Sequence, residues 1–139
     1  MEFVIVDTGV WYALFDSRDA HHGEVDEKAD LLEVLNVVVP WPTAYETLRT
    51  RFVKNAAALV RFERFLKSPN VHFFEDDVFR TSALELSLNS SLRKGRPLSM
   101  IDCLIRLILD DTDKRIRYLA TFNPRDFVDV CMKRRVEMI

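Results

Sequence analysis

Long apolar runs, a disulfide framework and low-complexity stretches are all missing from this 139-residue sequence. No apolar segment approaches the length of about 20 residues that a membrane-spanning helix needs. The sequence also does not start with the basic stretch followed by an apolar one that is typical of a signal peptide. Cys103 and Cys131 have neither metal-ligand nor redox spacing. We therefore expect a soluble, cytoplasmic protein with two reduced thiols. Because the length is that of a common domain, without a linker or repeat, we expect one domain over residues 1–139.

An excess of one charge is also missing, since 20 basic residues stand against 22 acidic ones. The distribution is uneven: residues 1–42 hold 2 basic and 9 acidic side chains, whereas residues 43–100 hold 10 and 6. This asymmetry suits a cation site beside a phosphate-binding surface, although solvated helix faces give similar counts. The candidate phosphate contacts are Arg49, Arg51, Lys54, Arg61, Arg64, Arg93, Lys94 and Arg96.

Short β-branched or aromatic runs alternate along the chain with segments of helical periodicity. The runs predict strands over residues 3–6, 37–39, 71–74 and 117–120, with an edge strand over 136–139. The periodic segments predict helices over residues 10–15, around 25–32, from 43 through about 52, a second one from there through about 67, from 76 or 77 through 88, and from 100 through 109. Strands alternating with helices indicate an α/β protein with a parallel sheet between helical layers.

Acidic residues recur where a predicted strand ends or a predicted helix begins. Asp7 follows the first strand, and Glu46 and Asp102 each come three residues after a hydroxyl, Thr43 or Ser99, as in a capping box. Each acid could be only a helix cap. In a parallel sheet, however, these positions meet at one edge, where several carboxylates would repel one another unless a cation lay between them. Mg²⁺ and Mn²⁺ prefer such oxygen ligands.

Hydroxyls and histidines near these acids give weaker signals. Thr8, Ser99 and Thr121 are candidate hydrogen-bond partners of the carboxylates, or ordinary turn and cap hydroxyls. His21 and His22 are adjacent, so on a helix their side chains point about 100° apart and do not easily serve one ion.

In this order, the motifs resemble the PIN domain, in particular the short VapC-type ribonuclease toxins of toxin–antitoxin pairs. The resemblance covers nearly the whole chain. It rests on the first strand ending in Asp7-Thr8, the acidic and histidine segment 16–21, Glu46 within residues 45–48, the segment 99–102, and the late segment 121–127.

The resemblance implies a three-layer α/β/α sandwich with a central parallel sheet and a Mg²⁺- or Mn²⁺-dependent endoribonuclease activity. Asp7 and Asp102 would hold the metal, and Glu46 would complete the acidic pocket. Asn123 occupies the fourth catalytic position, where many family members have Asp, and this departure puts a second metal in doubt. Asp126, three residues later, is the alternative fourth acid, although Asn123 and Asp126 also fit a capping pair.

The same resemblance implies an RNA substrate, a small antitoxin and a homodimer. Trp11, Tyr12 and Trp41 look exposed and would suit such an interface or stack on bases, although aromatic residues beside apolar runs are also common in cores. The alternative is a PIN-like scaffold without activity that binds RNA or protein; the missing fourth Asp favours it and the three remaining acids count against it. A phosphotransferase of the haloacid-dehalogenase kind is set aside, because Gly9 stands where that chemistry needs a second Asp.

Overall fold

Within residues 2–139 there are five strands and eight α-helices, with at least one helix between consecutive strands, as the sequence pattern predicts. The structure, a computed structural model, describes residues 2–139 except for the side chain of Asp26. The strands are β1 Phe3–Val6, β2 Asn36–Pro40, β3 Val71–Phe74, β4 Ile116–Ala120 and β5 Glu137–Met138. The helices are α1 Thr8–Phe15, α2 Asp26–Val34, α3 Trp41–Thr47, α4 Thr50–Val53, α5 Ala56–Leu66, α6 Arg80–Leu92, α7 Met100–Asp110 and α8 Val128–Arg134.

All strands of the sheet run parallel, in the order β3-β2-β1-β4-β5. Strand β1 lies in the centre, and its Ile5 stands opposite Val38 of β2 and Leu119 of β4. Because helices cover both faces, Val4, Ile5 and Val6 are fully buried. The three-layer sandwich with a central parallel sheet is therefore confirmed.

The alternating side chains of the strands supply two separate hydrophobic cores. Ile5, Val38 and Leu119 pack with the inner faces of α6, α7 and α8. The neighbouring residues Val4 and Val6 point to the other face and pack with α1, α2 and α5. The sheet is thus held from both sides, which fixes the positions of the strand ends.

The helix that carries Glu46 begins earlier than predicted. Pro40 provides the extended N-cap backbone, α3 starts at Trp41, and Pro42 takes a first-turn position where its missing N–H is not needed. Thr43 is therefore inside the helix, and its hydroxyl donates to the Pro40 carbonyl at 2.7 Å. The predicted capping box at Thr43 is wrong, and Glu46 lies in the second turn of α3.

Two other predicted helix boundaries are also wrong. The helix predicted from residue 43 is broken after Thr47, so Phe52 belongs to the separate short helix α4. Helix α6 begins only at Arg80 and has no side-chain cap. Asp76 forms an ion pair with Arg80 at 3.1 Å instead of capping the helix. The ion pair of Asp76 with Arg80 and the interruption of the helix between Thr47 and Thr50 thus override the local cap signals.

The opening of α7 is as predicted. Ser99 is its N-cap, and the Ser99 hydroxyl accepts a hydrogen bond from the Asp102 N–H at 3.0 Å. Asp102 therefore lies in the first helical turn. The two cysteines are free and buried, and within residues 2–139 each helix is too short or too polar to cross a bilayer.

The expectation that Trp11 is exposed is wrong. Trp11 is only 1% exposed, because α1 packs on α5 and the indole lies against the rings of Phe62 and Phe65. Tyr12 is half-buried. Trp41 is 37% exposed and stacks on Phe73 with a centroid distance of 4.5 Å.

Candidate active site

Asp7 stands at the carboxyl end of the central strand and caps α1. Its Oδ1 accepts a hydrogen bond from the Thr8 N–H at 2.9 Å, and its Oδ2 accepts one from the Thr121 hydroxyl at 3.0 Å. Only 7% of Asp7 is exposed. The cap interpretation is therefore correct for one oxygen, while the other is held by Thr121, the residue after the neighbouring strand β4, which a helix cap alone does not require.

Thr121 connects Asp7 to the loop that holds the fourth predicted site residue. Its hydroxyl donates to Asp7 and accepts from the Asn123 N–H at 2.9 Å, so both contacts fix its orientation. The prediction that Thr121 binds a carboxylate is confirmed. Ser99 caps α7, and its hydroxyl also lowers the pKa of Asp102. The buried Thr8 hydroxyl lies close enough to Glu46 to lower the pKa of that carboxylate.

Glu46 and Asp102 reach the same edge of the sheet from different elements. Glu46 belongs to α3, which follows β2, and the backbone carbonyl of Glu46 accepts a hydrogen bond from the Tyr12 hydroxyl at 2.8 Å. Asp102 belongs to the first turn of α7. The structure thus brings three predicted acids, Asp7, Glu46 and Asp102, to the carboxyl edge.

The electrostatics of this edge show that the three acids lie within range of one another. The pKa of Asp7 is raised to about 6, first by burial and then by the negative charges of Asp102 and Glu46, against the hydrogen bonds from Thr121 and Thr8. The pKa of Glu46 is raised by burial and then by Asp102. The pKa of Asp102 is likewise raised, first by burial. Like charges gathered in a partly dry site favour the neutral acids in this way.

The fourth position is divided between two residues. Asn123 is exposed, and its side chain makes no cap hydrogen bond to the 3₁₀ turn Pro124–Asp126 that follows. The predicted capping interaction is therefore wrong. Asp126 is half-buried, and its negative charge raises the pKa of Asp102. Asp126 therefore interacts with the acidic edge through its charge. Asn123 is connected to it through its backbone N–H, which donates to the Thr121 hydroxyl that binds Asp7.

Arg106 holds this loop in place, although the sequence patterns did not single it out. It lies one turn after Asp102 on α7 and donates to the Asp126 carbonyl at 2.7 Å. It also donates to both carboxylate oxygens of Asp129 at 2.7 Å, which keeps the pKa of Asp129 well below its usual range. The signal available in the sequence was a single cation within the apolar run 103–109 of α7.

The two adjacent histidines have separate partners and do not share a site. His21 stacks on Phe122 with a centroid distance of 4.3 Å and contacts Glu24 through Nδ1 at 3.1 Å. The Nδ1 of His22 lies 2.6 Å from the Ala13 carbonyl oxygen. The His21–Phe122 stack joins the segment after α1 to the loop after β4.

The donor chemistry of the acidic edge fits a hard divalent cation. Three carboxylates supply oxygen donors here, and their pKa values stay raised even though Arg49 and the Thr8 hydroxyl lower the pKa of Glu46, so the negative charge is not fully compensated. Within residues 2–139, the side chains as they stand do not form a group of three or more His, Cys, Asp or Glu that could hold an ion.

The arrangement of sheet and helices is similar to that of a solved toxin structure. The chain is similar to Mycobacterium tuberculosis VapC20, described as a toxin that cleaves the sarcin–ricin loop, with a TM-score of 0.68 and 21% sequence identity. The similarity covers 91% of this chain and 94% of the other. The chain has a VapC-type PIN fold. No protein-family model and no curated protein matches the sequence, so the likeness lies in the fold.

We predict that the PIN-like acidic edge makes the metal-free protein less stable as pH rises from about 4 to about 7. The folded pKa of Asp7, about 6, exceeds its ordinary value of 3.8, so the folded state binds more protons in this range and ionisation weakens it. At about 1.4 kcal/mol per pKa unit, the loss is on the order of 3 kcal/mol. Chemical denaturation in chelator at a series of pH values measures it.

Asp7→Asn should flatten this pH dependence, and the exposed acid Glu85 on α6 supplies a matched control as Glu85→Gln. The acids with lowered pKa values, among them Asp110 and Asp129, lose their stabilising effect only below their ordinary range. Their titration therefore lies below the pH range from about 4 to about 7 in which the loss of stability is measured. If the free energy of unfolding of Asp7→Asn fell with pH as steeply as that of the wild type, Asp7 would not be the group with the raised pKa.

Proposed function

We propose that this chain is a divalent-metal-dependent endoribonuclease that hydrolyses RNA phosphodiesters, and that it is the toxin of a toxin–antitoxin pair in the cytoplasm. The observation that carries the proposal is the meeting of Asp7, Glu46 and Asp102 at the carboxyl edge of the sheet with raised pKa values. The VapC-type PIN fold supports it, because VapC20 is a toxin that cleaves RNA of the sarcin–ricin loop.

In this proposal Asp7 and Asp102 hold Mg²⁺ or Mn²⁺, and Glu46 completes the pocket. When bound, the ion neutralises charge developing on the phosphate and lowers the pKa of a water molecule. A buried carboxylate such as Asp7 otherwise lacks a positive partner, and burying an uncompensated charge is costly. The acidic residues thus provide a cation site without a side-chain nucleophile.

Residues around the acids fix their directions. Thr121 donates to one oxygen of Asp7, so the other faces the helix N-terminus at Thr8. The Ser99 cap sets the first turn of α7 and with it Asp102. Arg106 keeps the loop with Asp126 against α7 through its contacts to the Asp126 carbonyl and to Asp129. Such support holds ligands in a productive geometry before substrate binds.

The alternative function is a PIN-like scaffold without activity that binds RNA or a protein. The neutral Asn123 at the fourth position favours it. An inactive scaffold has no need for a cation at the acidic edge, so Mn²⁺ titration separates the two functions. The raised pKa of Asp7 favours the enzyme, because that residue is destabilised without a cation.

A homodimer and a small antitoxin complete the proposal. The exposed face of α6 presents Leu84, Leu88 and Leu92 at helical spacing, with 47%, 49% and 76% of their surface exposed. An apolar stripe of this kind suits a self-complementary interface. The antitoxin would place a peptide in the acidic groove, with a basic side chain in the position of the metal. Light scattering of the purified protein checks the dimer.

We predict that RNA cleavage by the purified protein requires Mg²⁺ or Mn²⁺ and stops in excess chelator. Asp7→Asn and Asp102→Asn should each reduce the rate by roughly a hundredfold or more, since removal of even an outer partner of a metal ligand costs 10- to 100-fold. Glu46→Gln should also reduce the cleavage rate. Because Glu46 lies in the second turn of α3, this variant does not remove a helix cap, so a lower rate is not explained by a lost cap. Gel assays on single-stranded and structured RNA measure the rates.

Glu33→Gln is the control for these variants, since it removes an exposed carboxylate on α2, outside the acidic edge and the apolar face of α6, and should cleave like the wild type. Thermal unfolding of each variant shows that the fold persists. Full activity of the wild type in excess chelator would reject metal dependence, and full activity of Asp7→Asn would reject the site.

We predict that Asp126→Asn slows cleavage far less than Asp7→Asn, and that Asn123→Asp strengthens binding of a second ion. An amide oxygen is at most a weak ligand, whereas a carboxylate at residue 123 adds a negative charge at this edge. Calorimetric Mn²⁺ titration and cleavage rates measure both effects. If Asn123→Asp left the titration unchanged while Asp126→Asn abolished cleavage, Asp126 would be the fourth acid.

A further inference from the structure

Four cationic side chains line an open groove beside the acidic edge. Arg18, Arg49 and Arg51 surround one depression, and Arg18, Arg51 and Lys54 surround the next. Because Arg18 and Arg51 line both, the depressions form one continuous basic groove, defined here as Arg18, Arg49, Arg51 and Lys54. We propose that the basic groove binds the phosphodiester backbone of single-stranded RNA next to the bond that is cleaved. The proposal rests on the proposed function.

The charge of the basic groove is positive even after its acids are counted. Asp16 and Asp19 also line it, but both carboxylates are turned toward nearby N–H groups. The Asp16 Oδ1 accepts from the Arg18 backbone N–H at 2.9 Å, and the Asp19 Oδ1 accepts from the His21 N–H at 2.9 Å. Four cations against two anions leave the groove attractive to a polyanion.

The structure separates available cations from occupied ones. Arg51 and Lys54 are exposed, and no hydrogen bond or ion pair of their side chains is found within residues 2–139. Arg61, by contrast, donates to the Phe15 carbonyl at 2.6 Å, and Arg96 is turned to the Arg125 carbonyl and to Asp129. Among the candidate phosphate contacts predicted from the sequence, Arg51 and Lys54 are therefore the two that are both free and on the same concave surface.

Arg18 and Arg49 are held in partly fixed directions at the groove. Arg18 pairs with Asp16 at 3.2 Å while 61% of its side chain stays exposed. The Arg49 guanidinium lies 4.7 Å from the centroid of the Tyr12 ring. A guanidinium fixed on an aromatic ring still offers its N–H edge to phosphate oxygens.

Helix α1 sets the distance between the basic groove and the acids. Asp7 caps its first turn, Tyr12 lines the groove, and Asp16 ends the helix. At 1.5 Å per residue, the groove extends from about 7 to about 14 Å from Asp7 along the helix. Since RNA has a phosphate at every nucleotide, a strand with one phosphate at the acids places others in the groove. This continuity favours RNA over an acidic peptide as the ligand.

The test measures RNA binding in chelator, where the strand is not cleaved. Fluorescence anisotropy with a short labelled single-stranded RNA gives the affinity over a series of salt concentrations for the wild type and for Arg51→Gln/Lys54→Gln. Each lost phosphate contact on a single strand lowers the slope of log K against log salt by about 0.7, so we expect a decrease of about 1.4. At physiological salt the affinity should fall roughly tenfold.

Lys67→Gln/Arg117→Gln is the matched control, because it also removes one lysine and one arginine, near the amino ends of β3 and β4. It should retain the wild-type slope, as should the charge-conserving Arg51→Lys/Lys54→Arg. Equal losses in the two Gln pairs, or an unchanged slope in Arg51→Gln/Lys54→Gln, would overturn the proposal. So would a loss of oligoglutamate binding with unchanged RNA binding, since the groove would then serve an acidic peptide.

The result is independent of cleavage, because no divalent ion is present. A protein that binds RNA through the basic groove but does not cleave it in Mn²⁺ would refute the proposed nuclease and keep the groove assignment. If the wild type cleaves RNA while Arg51→Gln/Lys54→Gln binds RNA normally, the groove assignment is refuted and the proposed nuclease is kept.

Discussion

The burial of one carboxylate at the end of the central strand is the constraint on which this site depends. Asp7 is nearly covered by protein, and among the described residues its carboxylate accepts two hydrogen bonds, from the Thr8 N–H and the Thr121 hydroxyl. These are not enough to keep its pKa in the usual range, since burial raises it to about 6. Glu46 and Asp102 nearby increase the repulsion. A site of this kind favours either protons or a cation.

The sheet explains why such a costly arrangement is held in place. Strand β1 lies between β2 and β4 with helices on both faces, so Asp7 cannot withdraw into solvent without disturbing two cores. Glu46 is attached through the Tyr12 hydroxyl to α1, and Asp102 is set by the Ser99 cap. Destabilising features fixed by a rigid scaffold are typical of functional sites. Toward the C-terminal end of α1, the basic groove adds the opposite charge.

The fold was predictable because its signals are local and repeated. The β-branched run at residues 3–6, the strand near 117–120 and the Ser99 cap each depend on neighbours in sequence, and all three are confirmed. The Thr43 capping box failed because Pro40 and Pro42 start the helix earlier. The exposure of Trp11 failed because packing of α1 on α5 is a tertiary contact.

The candidate site was predictable only in part, for a similar reason. Topology brings Asp7, Glu46 and Asp102 to one edge, and a sequence with alternating strands and helices implies that topology. The bidentate contact of Arg106 with Asp129 joins residues 23 positions apart and leaves no sequence pattern. The continuity of the basic groove between Arg18 and Arg51 is also a product of folding.

Proton release on metal binding tests the central claim most directly. Calorimetric titration of Mn²⁺ at pH 6, in two buffers with different ionisation enthalpies, counts the protons displaced. With a pKa of about 6 for Asp7, binding should release at least about half a proton at pH 6 and almost none at pH 8, and Asp7→Asn should lose both binding and release. An absence of Mn²⁺ binding, or binding unaffected by Asp7→Asn, would contradict the account.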